Sequence, residues 1–147
     1  VGTIGSADEA LLKELFGRIS SDPAAASFHP HPFTPEEAYR RATYTGRDIY
    51  AVMSFEGQAI GYGMLRGWDE GYAVPSLGIY VVTDYRGSGA ARLLMDYLHL
   101  TAKLKGAQAV RLKVYPDNER AFRLYKSLGY QFQDHAEKGQ LVGLRAL

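Results

Sequence analysis

Apolar positions along this chain recur with two different periods, and the switches between them divide it into elements. Leu11, Leu12, Leu15, Phe16 and Ile19 repeat at helical spacing. Ser6-Ala-Asp-Glu9 just ahead has the form of a capping box, in which Ser6 accepts from a free amide and Glu9 reaches back. Residues 22–33 hold Pro23, Pro30 and Pro32, so they predict irregular chain. Thr34-Pro-Glu-Glu37 predicts a second helix running to about Thr45. Pro35 takes its first position, and the two acids complement the dipole.

The period then shortens. Ile49–Phe55 and Ala59–Leu65 predict a hairpin turning at residues 56–58. Ser76–Val82 predicts a third strand, with Gly78 read as a bulge. A helix follows to about Lys105. Gln108–Tyr115 alternates, with Val110, Leu112 and Val114 on one face. Pro116-Asp117-Asn118 stops that strand and starts a helix with an apolar side of Ala121, Phe122, Leu124, Tyr125 and Leu128, closed by Gly129. Two last strands, about 130–135 and 140–146, turn near Lys138-Gly139, and residues 1–4 read as a strand stub. Hairpins plus one strand–helix–strand crossover predict an α/β (α+β) fold: a mixed, mostly antiparallel sheet with helices on both faces, one domain over residues 1–147.

Composition narrows the chemistry. Of 147 residues, 46% are hydrophobic and 22% charged, which is ordinary for a globular domain able to bury its own core. Absence of cysteine excludes disulfides, thiolate metal sites and a cysteine nucleophile, and fits a reducing, cytoplasmic compartment. No apolar run approaches a bilayer span, so no membrane partner is expected. Val1 is not a start methionine, as expected of a trimmed chain. The net charge of +1 is unevenly placed: residues 1–83 hold 6 Lys/Arg and 10 Asp/Glu, residues 84–126 hold 9 and 4. A basic block suggests an anionic ligand. With no nucleic-acid motif and near-neutral overall charge, a small phosphorylated ligand is favoured over nucleic acid.

The basic block opens on Asp84-Tyr-Arg-Gly-Ser-Gly-Ala-Ala-Arg92, a glycine loop leading into a helix. Such a loop can aim free amides and the positive end of the helix at phosphate oxygens; it can also be only a tight turn. A nucleoside-triphosphate loop needs Gly-Lys-Ser/Thr, which the chain lacks. A dinucleotide loop wants a third glycine where Arg92 stands and an acid where Arg111 and Lys113 stand.

Arg86-Gly-Ser-Gly89-Ala-Ala91 instead resembles the Arg/Gln-x-x-Gly-x-Gly/Ala signature of the GNAT N-acetyltransferase superfamily. Downstream, Asn118 through Tyr125 to Leu128-Gly-Tyr130 resembles the family's second signature. The likeness is strong from about Ser76 to Phe132 and extends to the element order. It implies acetyl-CoA as cosubstrate and no metal. It implies that the backbone of Gly87, Ser88, Gly89, Ala90 and Ala91, with Arg86 and Arg92 nearby, cradles the pyrophosphate. Ile79, Tyr80 and Val81 would pair with the pantetheine, and the Val81 amide would face the thioester oxygen. Asn118 would bond the pantetheine or a water, and Tyr125 would be general acid.

Asn118, Phe122 and Tyr125 share a helix face independently of that likeness. A tyrosine there can donate a proton to a leaving thiolate or simply pack as a core aromatic. The family's carboxylate base has no counterpart: its places correspond to Pro75 or Ser76, and Lys113. Glu70 and His31 are the tentative bases, with Asp69 and His29 behind them and a water chain to bulk as substitute. Trp68 and Tyr72 could line a pocket or cap the sheet. The expected reaction is direct transfer to an amine of a small molecule (an amino sugar or other amine metabolite) or of a peptide, by a monomer or homodimer. The rivals are an inactive coenzyme A-binding sensor or partner domain and, behind it, an RNA- or nucleotide-associated domain using the basic block.

Overall fold

Capping decides where the first helix begins. A computed structural model describes residues 1–147. In it Gly5 N–H donates to Asp8 Oδ2 at 2.8 Å across a 3-10 turn, Ser6–Asp8. Asp8 therefore takes the reaching-back role expected of Glu9, while Glu9 pairs with Lys13 at 2.9 Å inside helix α1, Glu9–Ser21. Helix α2, Pro35–Ala42, starts as expected: Thr34 Oγ1 accepts from Glu37 N–H at 3.1 Å. It stops short of Thr45. The Thr43 hydroxyl takes the Tyr39 carbonyl, and Tyr44 turns its ring edge-on to Tyr50, 5.1 Å away.

The remaining elements are β1 (Gly2–Thr3), β2 (Ile49–Phe55), β3 (Gln58–Arg66), β4 (Ser76–Val81), α3 (Ala90–Leu104), β5 (Ala109–Val114), α4 (Glu119–Ser127), β6 (Gln131–Glu137) and β7 (Gln140–Ala146). They form one seven-stranded sheet of order β1-β2-β3-β4-β5-β7-β6. Every neighbouring pair is antiparallel except β4 and β5. No bulge occurs at Gly78: β3 and β4 keep one register from Gly61↔Val81 to Arg66↔Ser76. The irregularities lie in β2, between Met53 and Ser54, and in β6, between Phe132 and Ala136. Gly78 instead lies under Phe28, and a Cβ there would make an ordinary contact, 3.6 Å from Phe28 Cε1.

Alternation puts successive residues of β2 on opposite faces, and both faces are covered. Tyr50 and Val52 join Leu12, Leu15, Phe16 and Ile19 of α1 in one buried cluster. Ala51 and Met53 join Leu94, Met95 and Leu98 of α3, with Val110, Leu112 and Val114 of β5, in the other. Tyr125 of α4 packs into this second cluster. Helices α1 and α2 leave the β5–β7–β6 end of their face open, where Lys113 and Leu144 are exposed. No helix is long and apolar enough to cross a membrane.

Candidate functional site: a cleft where the sheet splays

The one parallel pair scarcely forms. Ser76 pairs with Arg111, and Arg111 N–H donates to the Pro75 carbonyl at 3.0 Å; past that point β4 and β5 separate. Val82 N–H donates to Ile60 O at 2.8 Å. Antiparallel alternation then turns the backbone of Tyr80 toward β3 and that of Ile79 and Val81 into the gap. Of the three strand residues expected to pair with a ligand, two present backbone groups to it. Tyr80 contributes its side chain: the hydroxyl donates to Asp22 Oδ2 at 2.6 Å, and the ring stacks on Phe28. The gap opens into a cleft of about 790 Å³.

One end of the cleft is the glycine loop. Gly87 and Gly89 have φ of 80° and 95°, the left-handed region that suits glycine. The amides of Gly87, Gly89, Ala91 and Arg92 take no partner within the protein, whereas Ser88 N–H donates to Tyr85 O and Ala90 N–H to Ser88 Oγ, both at 3.3 Å. Four free amides thus stand at the N-terminus of the 15-residue α3, where the helix dipole adds positive potential. Arg86, Arg92 and Arg120 line the cleft around them. Arg92 is steadied by Ser127 Oγ at 3.0 Å, and Arg86 Nε donates to Val81 O at 3.3 Å.

Asn118 and Tyr125 both reach the cleft wall. Asn118 Oδ1 caps α4 by accepting from Ala121 N–H at 3.3 Å, which leaves its amide NH₂ for a ligand. Tyr125 is buried, and burial pushes its hydroxyl up to about 12. Its ring lies 5.9 Å from that of Tyr130, whose hydroxyl shares a 2.7 Å hydrogen bond with His99 Nε2.

Glu70 and His31 stand elsewhere. Glu70 is exposed in the 67–71 turn, and neither residue lines the cleft. His31 has both ring nitrogens engaged, Nδ1 with Pro32 O at 2.7 Å and Nε2 with Tyr62 OH at 2.8 Å. Packed among Phe16, Phe33 and Tyr62, it is held below its ordinary pKa by burial. His29 is exposed. Asp69 is a loop clamp, accepting from the Tyr44 hydroxyl and from Arg47 N–H. Trp68 is core and Tyr72 is exposed. The one carboxylate on the wall is Asp117, in the turn before α4. Asp22 lies one contact behind the wall, through Tyr80. Sequence reading missed Asp22 because Asp-Pro at a helix end reads as punctuation. It does cap a 3-10 turn, through Ala24 N–H at 2.9 Å, and nothing local announces a partner 58 positions away.

The profile described as the acetyltransferase (GNAT) family matches residues 14–130. The chain belongs to that family. An acetyltransferase of Sodalis glossinidius is 29% identical over 100 residues, 68% of this chain and 69% of its own. An uncharacterized N-acetyltransferase of Mycobacterium tuberculosis is 38% identical over 93 residues, 63% of this chain, and the match spans just over half, 54%, of that relative. In fold, the GNAT domain of S. lividans PAT superposes with a TM-score of 0.80 at 16% identity, over 99% of this chain and 89% of that one. PaiA N-acetyltransferase from Thermoplasma acidophilum, solved in complex with coenzyme A, gives 0.77 at 16% identity, over 98% and 96%. At such identities the agreement concerns the fold. It agrees with the mixed sheet expected from the hydrophobic pattern.

Proposed function

We propose that this GNAT protein moves an acetyl group from acetyl-CoA directly to the amine of a small molecule. The observation carrying this is the splay: backbone groups of Ile79 and Val81 face a gap that runs from four free amides, at Gly87, Gly89, Ala91 and Arg92, to Tyr125. These groups fit the donor by chemistry. Free amides and arginines suit a pyrophosphate, and an unpaired strand edge suits the amides of a pantetheine arm. The donor supplies an activated acyl group and a thiolate leaving group.

In this reading the Val81 N–H stabilises negative charge developing on the thioester oxygen, and Arg86 leaves the Val81 carbonyl for the pyrophosphate. The free NH₂ of Asn118 bonds the arm. Tyr125, protonated at any ordinary pH, delivers a proton to the departing sulfur. Neither Glu70 nor His31 borders the cleft, so the amine sheds its proton to water at the exposed end near Ser27 and Lys113. The test is thiol release from acetyl-CoA across an amine panel, with thermal shift as binding control. Stabilisation by acetyl-CoA without turnover of any amine would favour a second reading, a coenzyme A-binding domain without transfer. The absence of a histidine, and of any carboxylate but Asp117, from the wall is what favours it.

A further inference from the structure

The end of the cleft away from the glycine loop carries one cation on its wall, with others on the same sheet face. Lys113 lines it, together with Ser27, Phe28, Tyr115 and Gln140. Arg111 shares Lys113's face of β5, two residues back. Arg66 and Arg111 both stand in register with Ser76, from opposite sides, so all three cations share one sheet face. Arg66 donates to the Pro30 carbonyl at 2.6 Å, and a single carboxylate pairs with the other two: Glu137 Oε2 accepts from Arg111 Nη2 at 3.3 Å and from Lys113 Nζ at 3.2 Å. One oxygen serving two cations leaves most of their N–H donors free. Both side chains remain about a third exposed, at 33% and 34%. Asp22 offers no relief, since it already accepts from Tyr80, Thr83 and Ala24 and lies 4.0 Å from Arg86.

We propose that the acceptor is an amine that also bears an anionic oxygen group, a carboxylate or a phosphate, and that Lys113 with Arg111 holds that group. This rests on the transfer reading above and narrows its substrate. A ligand anion at Lys113 completes the pairing that Glu137 leaves unfinished. Phe28, stacked on Tyr80 and packed over Gly78, bounds the slot on its apolar side and favours a short acceptor.

The experiment compares matched amines with acetyl-CoA: β-alanine, 2-aminoethyl phosphate, ethanolamine and 1,3-diaminopropane, together with phenylalanine against phenethylamine. The anionic member of each set is expected to show the higher kcat/KM, by about 10-fold to 100-fold, the range of a charge-assisted hydrogen bond. The carboxylate and phosphate arms tell which anion is read. Lys113→Gln should collapse the ratio toward one, with acetyl-CoA affinity as the folding control. Lys113→Glu should invert it in favour of the diamine. Preference for the neutral or dicationic member in the wild-type protein, or a ratio unmoved by both variants, would overturn the proposal while leaving the transferase reading intact. No turnover of any amine, with cofactor still bound, would remove both.

Discussion

The loop end of the cleft and the Lys113 end are made of different material. At the loop end the groups left free are N–H donors of Gly87, Gly89, Ala91 and Arg92, with Ile79 and Val81 beside them. Their directions follow from left-handed glycines and from the ladder of β3 and β4. At the other end the lining groups are side chains drawn from three separate segments: Phe28, then Lys113 with Tyr115, and Gln140. A site made of backbone holds a constant ligand whatever its side chains are. A site made of side chains can change its ligand by single substitutions. Tyr125 lines the same cleft.

Tyr125→Phe is the strongest test of that division. It removes one hydroxyl and keeps the ring in the core. Turnover should fall by about 10²-fold or more, while acetyl-CoA affinity, measured by calorimetry, stays within about threefold. With the hydroxyl raised to about 12, the wild-type kcat should show no alkaline fall from this group below about pH 11. Equal losses in kcat and affinity would make Tyr125 part of the donor's packing and not its acid.

Behind Tyr125 lies a buried neutral pair, His99 with Tyr130, which pH can break. His99 is 5% exposed, its Nδ1 has no partner, and burial brings its pKa down to about 4. Arg145 contributes to that lowering, and Asp96 pulls the other way. The folded value lies below the unfolded ~6.5, so the unfolded chain binds more protons between the two. This stability is full above about pH 6.5 and is lost as pH falls toward 4, amounting to ~3 kcal/mol. Urea midpoints across that range should drop, and His99→Gln should flatten the slope. An unchanged slope would assign it to the carboxylates held low in the fold, Asp22, Glu37, Asp69 and Glu137.

The same contrast explains what could be read from the chain alone. Apolar periods gave the order and type of the elements, because burial on one or two faces fixes the spacing of large side chains. The free-amide loop is written in sequence as glycines at fixed offsets ahead of a helix. What escaped was set by distant partners. Gly78 looks like a bulge until Phe28, fifty positions earlier, is found lying over it. Helix α2 ends at Ala42 because Tyr44 has a partner in Tyr50 and another in Asp69. Asp22 joins Tyr80 and Arg86 through no local pattern at all.

A pair of glycine substitutions measures both ends with one chemistry. Gly89 has φ of 95°, so Gly89→Ala forces an L-residue into the left-handed region at ~1–2 kcal/mol. Affinity for acetyl-CoA should fall by up to about tenfold, with acceptor KM little changed. Gly78 has no such φ, and an alanine there meets only ordinary contacts at 3.5–3.7 Å. Gly78→Ala should therefore spare the cofactor and shift acceptor KM by about twofold to threefold through Phe28. The opposite pattern would show that the two ends are not independent.

The smallest expected effect is the most informative about the limits of the acceptor end. Glu70 sits in a turn closed by its own N–H on the Gly67 carbonyl at 3.2 Å, exposed and off the cleft wall. As a base it would have to meet the amine near Val81, on a strand whose other end adjoins its loop. Glu70→Gln removes the charge and keeps the shape, and kcat/KM should change by less than about twofold from pH 6 to 9. A tenfold loss, with the acidic limb of the pH profile removed, would mean that the 67–71 turn folds over bound ligands. The acceptor end would then extend one loop beyond Lys113, and its cations would be balanced by Glu70 during transfer.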